Sequence, residues 1–321
     1  MRDRLLYFGR NHGFGITLRA FSRLVALLRG SSHSIVQVIV SDDHHGQPDT
    51  LESLAAAAGI PWCAAARNRV NAPEFVSRLA ALNPTLTLTV QFPQLYEVPL
   101  RAVTPRGSLN VHRGWPLRGG SIDERAIVEG LSAYWVILHH VVDRIDAGPI
   151  VARRAIAISA QDTGWSLAEK ADAAGEALVA EAVVPLLGLA VPAGTAQIVA
   201  QTRYANKGVI APVCDLLRSA DELDRLARAF DHPRKEGLAL SIRRCLVRVN
   251  RLAVGLSSGL PGTILASGQS GVEIAAGTGS VIIREVRRHD RKVVPLAQII
   301  AEQKLGVGDT LLTQAAAGAE S

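Results

Sequence analysis

Short apolar strands alternate with amphipathic helices over the first third of the chain, and this alternation limits the possible folds more than any other feature. The predicted strands are 4–9, 35–40, 61–65, 86–90 and 108–112. Apolar residues recur at helical spacing between them. Strands and helices that alternate in this way form a parallel sheet covered on both faces, and the apolar character of the strands supports that arrangement.

The pattern changes after Gly130, where two long strands and a long helix are predicted. The strands are 134–142 and 150–158, joined by the turn sequence Asp-Ala-Gly-Pro at 146–149. The helix is predicted over 163–189, with a break near Pro185. We therefore place a first domain at 1–190.

The second half of the chain has a different composition. Pro192 and Gly194 mark residues 191–205 as a linker. Short β runs separated by Gly and Ser turns follow, which indicates a small barrel over 206–314. The tail, 315–321, is small and polar and is expected to be disordered. A chain of 321 residues that is 48% hydrophobic suits two domains with separate cores.

Cysteine content and hydropathy bear on the cellular compartment. The chain has three widely spaced cysteines, an odd count that argues against a disulfide framework and favours a reducing cytoplasm. Their spacing is not that of a metal site. No apolar run approaches the roughly 18 residues of a membrane span, so we expect no membrane partner. An oligomer is compatible with the sequence, which does not determine its state.

The net charge of +6 is unevenly distributed. Residues 203–321 carry 17 basic and 12 acidic side chains, and the excess lies near Arg284, Arg287, Arg288, Arg291 and Lys292. One interpretation is a phosphate-binding face, and the other is a solvated arginine-rich surface. Binding of nucleic acid by this half of the chain is left open.

Three polar residues stand at positions suited to catalysis. Asn110 and His112 end an apolar strand, and residues two apart in a strand face the same side. Ligands of open parallel sheets bind beyond the carboxyl ends of the strands. Asp146 lies in a turn, where a carboxylate can orient an imidazole. Each residue alone could instead satisfy local backbone groups. The three together favour acyl transfer.

These residues carry a resemblance to a known family. The segment Leu109–His112, followed by Pro116, Arg118 and Gly119 and then by His139 and Asp146–Ile150, resembles the folate-dependent formyltransferases. That family includes enzymes that act on methionyl-tRNA and on nucleotide-linked amino sugars. The C-terminal segments that resemble the family's OB-like barrel are Asn206–Lys207, Leu226–Pro233, Pro261–Ile264 and Gly306–Leu311. The resemblance implies a Rossmann-like, parallel-sheet catalytic domain followed by a small OB-like β-barrel.

The resemblance also implies a mechanism without a metal. The formyl donor is expected to be 10-formyltetrahydrofolate. Asn110 would stabilise the charge on the formyl oxygen, His112 would act as general base or polarise that oxygen, and Asp146 would orient His112 and relay protons. The donor would lie against two loops. The residues expected to bind it are Gln91, Phe92, Pro93, Leu95, Val141, Val142, Asp143 and Ile145.

The sequence departs from the family pattern after the catalytic histidine. The loop Arg113–Arg118 is about two residues shorter than the usual one. Trp115 and Arg118 in this loop are candidates for substrate binding, although packing explains Trp115 equally well. His139 matches a family histidine and is a further candidate for substrate binding, and a core role fits it as well. Arg10, in a glycine-containing loop that lacks dinucleotide-binding spacing, is a candidate for an acceptor phosphate.

The acceptor is the least determined part of the prediction. The segment 41–49 is short and acidic where methionyl-tRNA formyltransferases carry a long basic loop, and it would repel nucleic acid. We therefore expect a small amine, first a nucleotide-linked amino sugar and second an amino-acid-derived amine such as hydroxyornithine. Methionyl-tRNA is a less favoured partner. A folate-binding regulatory module without catalysis is the alternative outside enzymes.

Overall fold

The computed structural model describes residues 2–11, 15–41, 49–206, 208, 210–233 and 235–311. The chain forms two compact units. The first contains Met1–Ile122, Ala133–Ala157 and Ala168–Lys207, and the second contains Asp123–Ser132, Ile158–Leu167 and Gly208–Ser321. The predicted linker, 191–205, thus belongs to the first unit. The predicted tail, 315–321, and most of the acidic segment 41–49 lie outside the described residues.

A mixed sheet forms the centre of the first unit. The strands of this unit are β1 (Arg4–Gly9), β2 (Ser34–Ser41), β3 (Trp62–Ala65), β4 (Leu86–Val90), β5 (Ser108–Trp115), β6 (Leu117–Gly119), β7 (Ala133–His140), β8 (Ile150–Ala157) and β9 (Arg203–Ala205). Seven of them form one sheet in the order β3-β2-β1-β4-β5-β7-β8. The pairs among β1–β5 are parallel, as predicted, whereas β7 is antiparallel to both β5 and β8.

Helices connect these strands along the chain, and parts of two of them belong to the second unit. They are α1 (Ile16–Leu28), α2 (Leu51–Ala57), α3 (Pro73–Ala80), α4 (Val98–Arg101), α5 (Ile122–Val128), α6 (Gly164–Leu178) and α7 (Val184–Leu186). In α1, Ala20, Phe21, Leu24 and Leu28 are buried at intervals of one, three and four residues, which gives the helix a single apolar face. Pro73 occupies the first turn of α3, where its missing N–H leaves no helical bond unmade.

The predicted helix over 163–189 is interrupted one turn earlier than expected. A π-helical turn, Val179–Val183, separates α6 from α7. Pro185 follows at the start of α7 and has no N–H to donate to the preceding turn. The N–H of Val184 bonds to the carbonyl of Val179, five residues back, which widens the helix before the proline.

The second unit is antiparallel. Its strands are β10 (Leu238–Ile242), β11 (Cys245–Val249), β12 (Ala253–Gly255), β13 (Ile264–Gly268), β14 (Gly271–Ala275), β15 (Ser280–Ile283), β16 (Glu285–Arg287) and β17 (Val293–Pro295). They form two four-stranded sheets, in the orders β10-β11-β16-β17 and β12-β15-β14-β13. Helices α8 (Ala220–Phe230) and α9 (Leu296–Glu302) contribute to the same apolar core. Ser219 and Glu222 cap α8 reciprocally.

The predicted fold class, a Rossmann-like α/β domain followed by a smaller β domain, is confirmed. All three cysteines are free thiols. In the part of the chain that the structure describes, no helix has the length and hydropathy needed to span a membrane. The same residues contain no group of His, Cys, Asp and Glu side chains arranged to hold a metal ion.

Candidate active site

Strand β5 presents Asn110 and His112 on one side and buries its apolar residues on the other. Leu109 and Val111 are fully or almost fully buried, whereas Asn110 and His112 are partly exposed. The alternation of apolar and polar residues along the strand produces this arrangement directly. Across the antiparallel pair with β7, Asn110 is opposite His139.

The connection between β7 and β8 brings Asp146 to the same place. Asp146 has a positive φ of 49°, a left-handed conformation that Asp tolerates better than most residues. Two residues later, a Cβ on Gly148 would lie 1.7 Å from the carbonyl oxygen of His140. Glycine is therefore required there, because the turn folds back closely onto the end of β7.

The carboxylate, the amide and the imidazole converge as the sequence predicts. Asn110 Nδ2 donates to Asp146 Oδ1 at 3.3 Å, and His112 Nδ1 is 3.4 Å from Asp146 Oδ2. The backbone N–H of Gly119 also donates to Asp146 Oδ2, at 3.4 Å. Asp146 is thus the common partner of both strand residues. The catalytic roles of the three residues stay predictions.

His139 fixes the orientation of the Asn110 amide. Its Nδ1 lies 2.8 Å from the carbonyl oxygen of its neighbour His140, and its Nε2 lies 3.1 Å from Asn110 Nδ2. Burial, reinforced by nearby His112, lowers the pKa of His139 to about 4, although Asp146 opposes the shift. The ring is therefore neutral at pH 7. It donates from Nδ1 to the carbonyl and accepts from Asn110 through Nε2.

His112 is held at both ring nitrogens. Nε2 lies 3.0 Å from the carbonyl oxygen of Leu117, and Nδ1 faces the carboxylate of Asp146. A neutral imidazole donates from only one nitrogen, so only the protonated ring satisfies both oxygens at once. This environment suits a residue that receives a proton during a reaction and passes it on.

Trp115 and Arg118, the two candidates in the shortened loop, contact protein groups. Trp115 Nε1 donates to Gln197 Oε1 at 3.0 Å, and its ring packs edge-on against Trp135. Arg118 is 7% exposed and donates from Nη1 to the carbonyl of Ile145 at 2.8 Å. Contact of either side chain with a substrate stays a prediction.

Arg10 stays a candidate for binding an acceptor phosphate. It follows β1 directly, and its buried Nε has no hydrogen-bond partner among the described residues. A buried guanidinium nitrogen without a partner is costly in the protein alone. An anionic group of a substrate could satisfy it, as the sequence predicts.

The loop after β4 is part of an apolar cluster that also includes residue 141. Phe92 packs edge-on against Phe8, with 5.2 Å between ring centroids, and both Phe92 and Val141 pack against the same buried group. The side chains of Leu95 and Val142 are exposed nearby in sequence, at 59% and 38%. Residues of the two predicted donor loops thus belong to one apolar cluster.

The polar residues of these loops have other partners. Gln91, at a positive φ of 55°, accepts from Nη2 of Arg113 at 3.1 Å when its amide oxygen faces that side chain. Asp143 pairs with Arg101. Two further residues are predicted to bind the donor. Pro93 is exposed, and Ile145 is partly buried. Their contact with a donor stays a prediction.

Gln197 is a residue that sequence reasoning missed. Its Nε2 donates to the carbonyl oxygens of Asp146, at 3.1 Å, and of Gly148, at 2.7 Å. It lies in a Pro- and Gly-containing stretch that reads as a linker, and no local pattern there indicates a contact with residues about fifty positions earlier.

Two family models match the chain. "Formyl transferase" matches residues 16–183, and "Formyl transferase, C-terminal domain" matches residues 215–304. A methionyl-tRNA formyltransferase of Trichlorobacter lovleyi is 27% identical over 83% of this chain and 84% of that relative. One from Ectopseudomonas mendocina is 32% identical, over 82% of this chain and 84% of that relative.

Solved structures give a fold-level likeness. The N-formyltransferase from Helicobacter canadensis, in complex with folinic acid and dTDP-3-aminofucose, has a TM-score of 0.66 to this chain. The match covers 88% of this chain and 98% of that one at 16% identity, so it concerns the fold alone.

Proposed function

The chain belongs to the formyl transferase family, and we propose that it transfers the formyl group of 10-formyltetrahydrofolate to the primary amine of a small molecule. The observation that carries this proposal is the convergence of Asn110 and His112 on Asp146, at 3.3 and 3.4 Å. An amide donor can stabilise the charge that develops when an amine attacks a formyl carbon, and an imidazole with a carboxylate can move the amine's proton.

The apolar cluster behind the two predicted donor loops supports binding of a folate. Phe92 and Val141 share one cluster, and exposed Leu95 and Val142 offer apolar surface for a flat ring system. When bound, the folate supplies the formyl carbon on a nitrogen that leaves with a proton. The remaining chemistry belongs to residues of the chain.

Asn110 stabilises the negative charge that develops on the formyl oxygen. Both hydrogens of its Nδ2 have partners in the protein, His139 Nε2 at 3.1 Å and Asp146 Oδ1 at 3.3 Å. The bond to Asp146 is the longer one, and we expect it to yield to the formyl oxygen. The bond to neutral His139 keeps the N–H side of the amide directed into the site.

His112 and Asp146 move the proton. Deprotonated His112 donates from Nε2 to the Leu117 carbonyl, so its Nδ1 accepts the proton of the attacking amine, and the protonated ring then satisfies both Leu117 and Asp146. Asp146 then relays the proton towards the departing nitrogen. One such positioned acid–base pair contributes about 100- to 10,000-fold to a rate.

A nucleotide-linked amino sugar is the acceptor that we favour. The segment 41–49 is short and acidic in sequence, and such a composition disfavours a nucleic acid as acceptor. The Nε of Arg10, which is buried and bonded to none of the residues that the structure describes, supports an acceptor that carries an anion, as a sugar nucleotide does. A hydroxyornithine-type amine, which lacks a phosphate, comes second among small molecules.

Methionyl-tRNA is the competing acceptor, because the similar curated relatives carry that name and the C-terminal half of the chain is basic. The two acceptors make different predictions for ionic strength. Binding of tRNA would weaken steeply between low and moderate salt, whereas turnover of a sugar nucleotide would respond far less.

The test is a panel assay with 10-formyltetrahydrofolate as donor. Nucleotide-linked amino sugars, hydroxyornithine and methionyl-tRNA are offered in turn, and the formylated product is measured by mass spectrometry. We expect product with an amino sugar and no product with His112→Ala. Formylation of methionyl-tRNA alone would overturn the choice of acceptor. Folate binding with no product from any amine would overturn the enzyme proposal.

A further inference from the structure

The segment 195–205, here called the strap, pairs with β6 and with β8, which follows directly after residues 141–149, here called the catalytic turn. Thr195 and Ile150 exchange two backbone hydrogen bonds, each 2.8 Å long, at the start of β8. At the other end of the strap, β9 pairs in parallel with β6. The residues that read as a linker are therefore part of the framework around Asp146.

Gln197 connects the strap to the turn itself. Its Nε2 donates to the carbonyl oxygens of Asp146 and Gly148, at 3.1 and 2.7 Å. Both hydrogens of the amide nitrogen are thus used on one turn. The turn needs such support because Asp146 has a left-handed conformation, which costs about 1 kcal/mol or more outside glycine.

Trp115 determines which way the Gln197 amide faces. Its indole N–H donates to Gln197 Oε1 at 3.0 Å, and an indole nitrogen can only donate. The oxygen of Gln197 must therefore face Trp115, which directs the NH₂ group to the turn. Trp115 lies on the same strand as Asn110 and His112, so the network links β5 to the turn opposite it.

Arg118 holds the carbonyl of the residue that precedes Asp146, also through a side-chain hydrogen bond. Nη1 donates to the carbonyl of Ile145, and Nε donates to Thr202 Oγ1 of the strap, both at 2.8 Å. Side-chain donors thus fix the carbonyls of both Ile145 and Asp146. Arg118, the donor to Ile145, is bonded to the strap, and the donor to Asp146 is a residue of the strap itself.

We propose that Gln197 is a positioning residue for formyl transfer, which sets the carboxylate of Asp146 against His112 through its two carbonyl contacts. This inference rests on the proposed function for its kinetic consequence. Its structural part, that the strap orders the catalytic turn, stands on the contacts above.

Three variants test the proposal. Gln197→Glu keeps the size of the side chain and the bond to Trp115, but it turns a carboxylate oxygen towards two carbonyl oxygens. Gln197→Met fills the same space and makes none of the three bonds. Gln201→Ala, an exposed residue of the same strap, is the matched control. Thermal melting of each variant establishes that it folds.

Two measurements are made on each variant of the full-length chain. Steady-state formyl transfer gives kcat and KM, and hydrogen–deuterium exchange reports the order of residues 141–149. For both Gln197 variants we expect a loss of about 10- to 100-fold in kcat, a KM for the amine within about twofold of wild type, and faster exchange in the turn. Gln201→Ala should resemble wild type in both.

The outcomes separate this proposal from the proposed function. An active wild type together with Gln197 variants of unchanged kcat overturns the positioning role, whatever the exchange shows. A raised KM with unchanged kcat also overturns it, since that is the behaviour of a binding residue. A wild type that transfers no formyl group overturns the proposed function, and unchanged exchange in the variants would then reject the strap as well.

Discussion

Asn110 and His139 are opposite each other on antiparallel strands, and 3.1 Å separates Asn110 Nδ2 from His139 Nε2. Because His139 is neutral and donates from Nδ1 to a backbone carbonyl, its Nε2 can only accept from Asn110. The buried histidine thus determines the direction of an amide that the proposed reaction uses.

Replacement of Asn110 by Ala should lower kcat by about 100- to 1,000-fold, because it removes the donor that faces the developing negative charge. The KM for the amine should change little, since this bond is strongest in the transition state. Steady-state assays of N110A against N250A, a partly buried asparagine of the second unit, check the result. Equal kcat values for N110A and wild type would exclude this role.

His139 should make the folded chain less stable in mild acid. Its pKa is lowered from 6.5 to about 4 by burial, so the unfolded chain binds a proton in this interval while the folded chain does not. Stability from this group is present above pH 6.5 and is lost as the pH falls towards 4, by up to about 3 kcal/mol.

Urea unfolding of wild type and His139→Gln at several pH values between 4 and 7 measures this contribution. Glutamine does not titrate and can still accept from Asn110 through its side-chain oxygen. Wild type should lose more stability than the variant as the pH falls. Parallel curves for the two proteins would show that His139 does not contribute.

Gly148→Ala should destabilise the chain and reduce formyl transfer together. The added Cβ would lie 1.7 Å from the carbonyl oxygen of His140, so the turn must move and carry Asp146 with it. We expect a loss of about 1–3 kcal/mol in unfolding free energy. Gly268→Ala is the control, because its Cβ would meet open space. Similar melting temperatures for the two variants would contradict the packing argument.

Arg10→Ala should raise the KM for an acceptor that carries a phosphate while leaving kcat nearly unchanged. The buried Nε has no partner within the described part of the chain, and a charge-assisted hydrogen bond to an anion contributes about 1.5–3 kcal/mol. This predicts an increase in KM of about 10-fold or more. The effect should be absent with an amine acceptor that has no phosphate. An equal rise for both acceptors would assign Arg10 a structural role.

The sequence predicts the parallel part of the sheet and the convergence of Asn110, His112 and Asp146, for different physical reasons. Buried parallel strands leave an apolar pattern, and β1–β5 follow it closely. An apolar strand and a turn contain polar groups that local structure does not require. These are Asn110 and His112 on the strand and Asp146 in the turn. The antiparallel direction of β7 cannot be predicted from the sequence pattern, because side chains alternate with the same period in parallel and antiparallel strands.

Long-range polar contacts are the part that the sequence could not supply. Trp115 and Gln197 are 82 residues apart, and nothing in the surroundings of Gln197 indicates a partner. Arginine is typical of protein surfaces and substrate-binding sites. Arg118, however, is 7% exposed and donates to Ile145 and Thr202. Such bonds depend on the path of the chain in three dimensions.

The position of the strap affects how this protein can be dissected. A fragment cut after residue 190, where the sequence suggests a domain boundary, would contain Asn110, His112 and Asp146 but would lack Gln197 and Thr202. Expression of the catalytic half by itself should therefore extend through Ala205, so that both β9 and the side chains that brace the turn are retained.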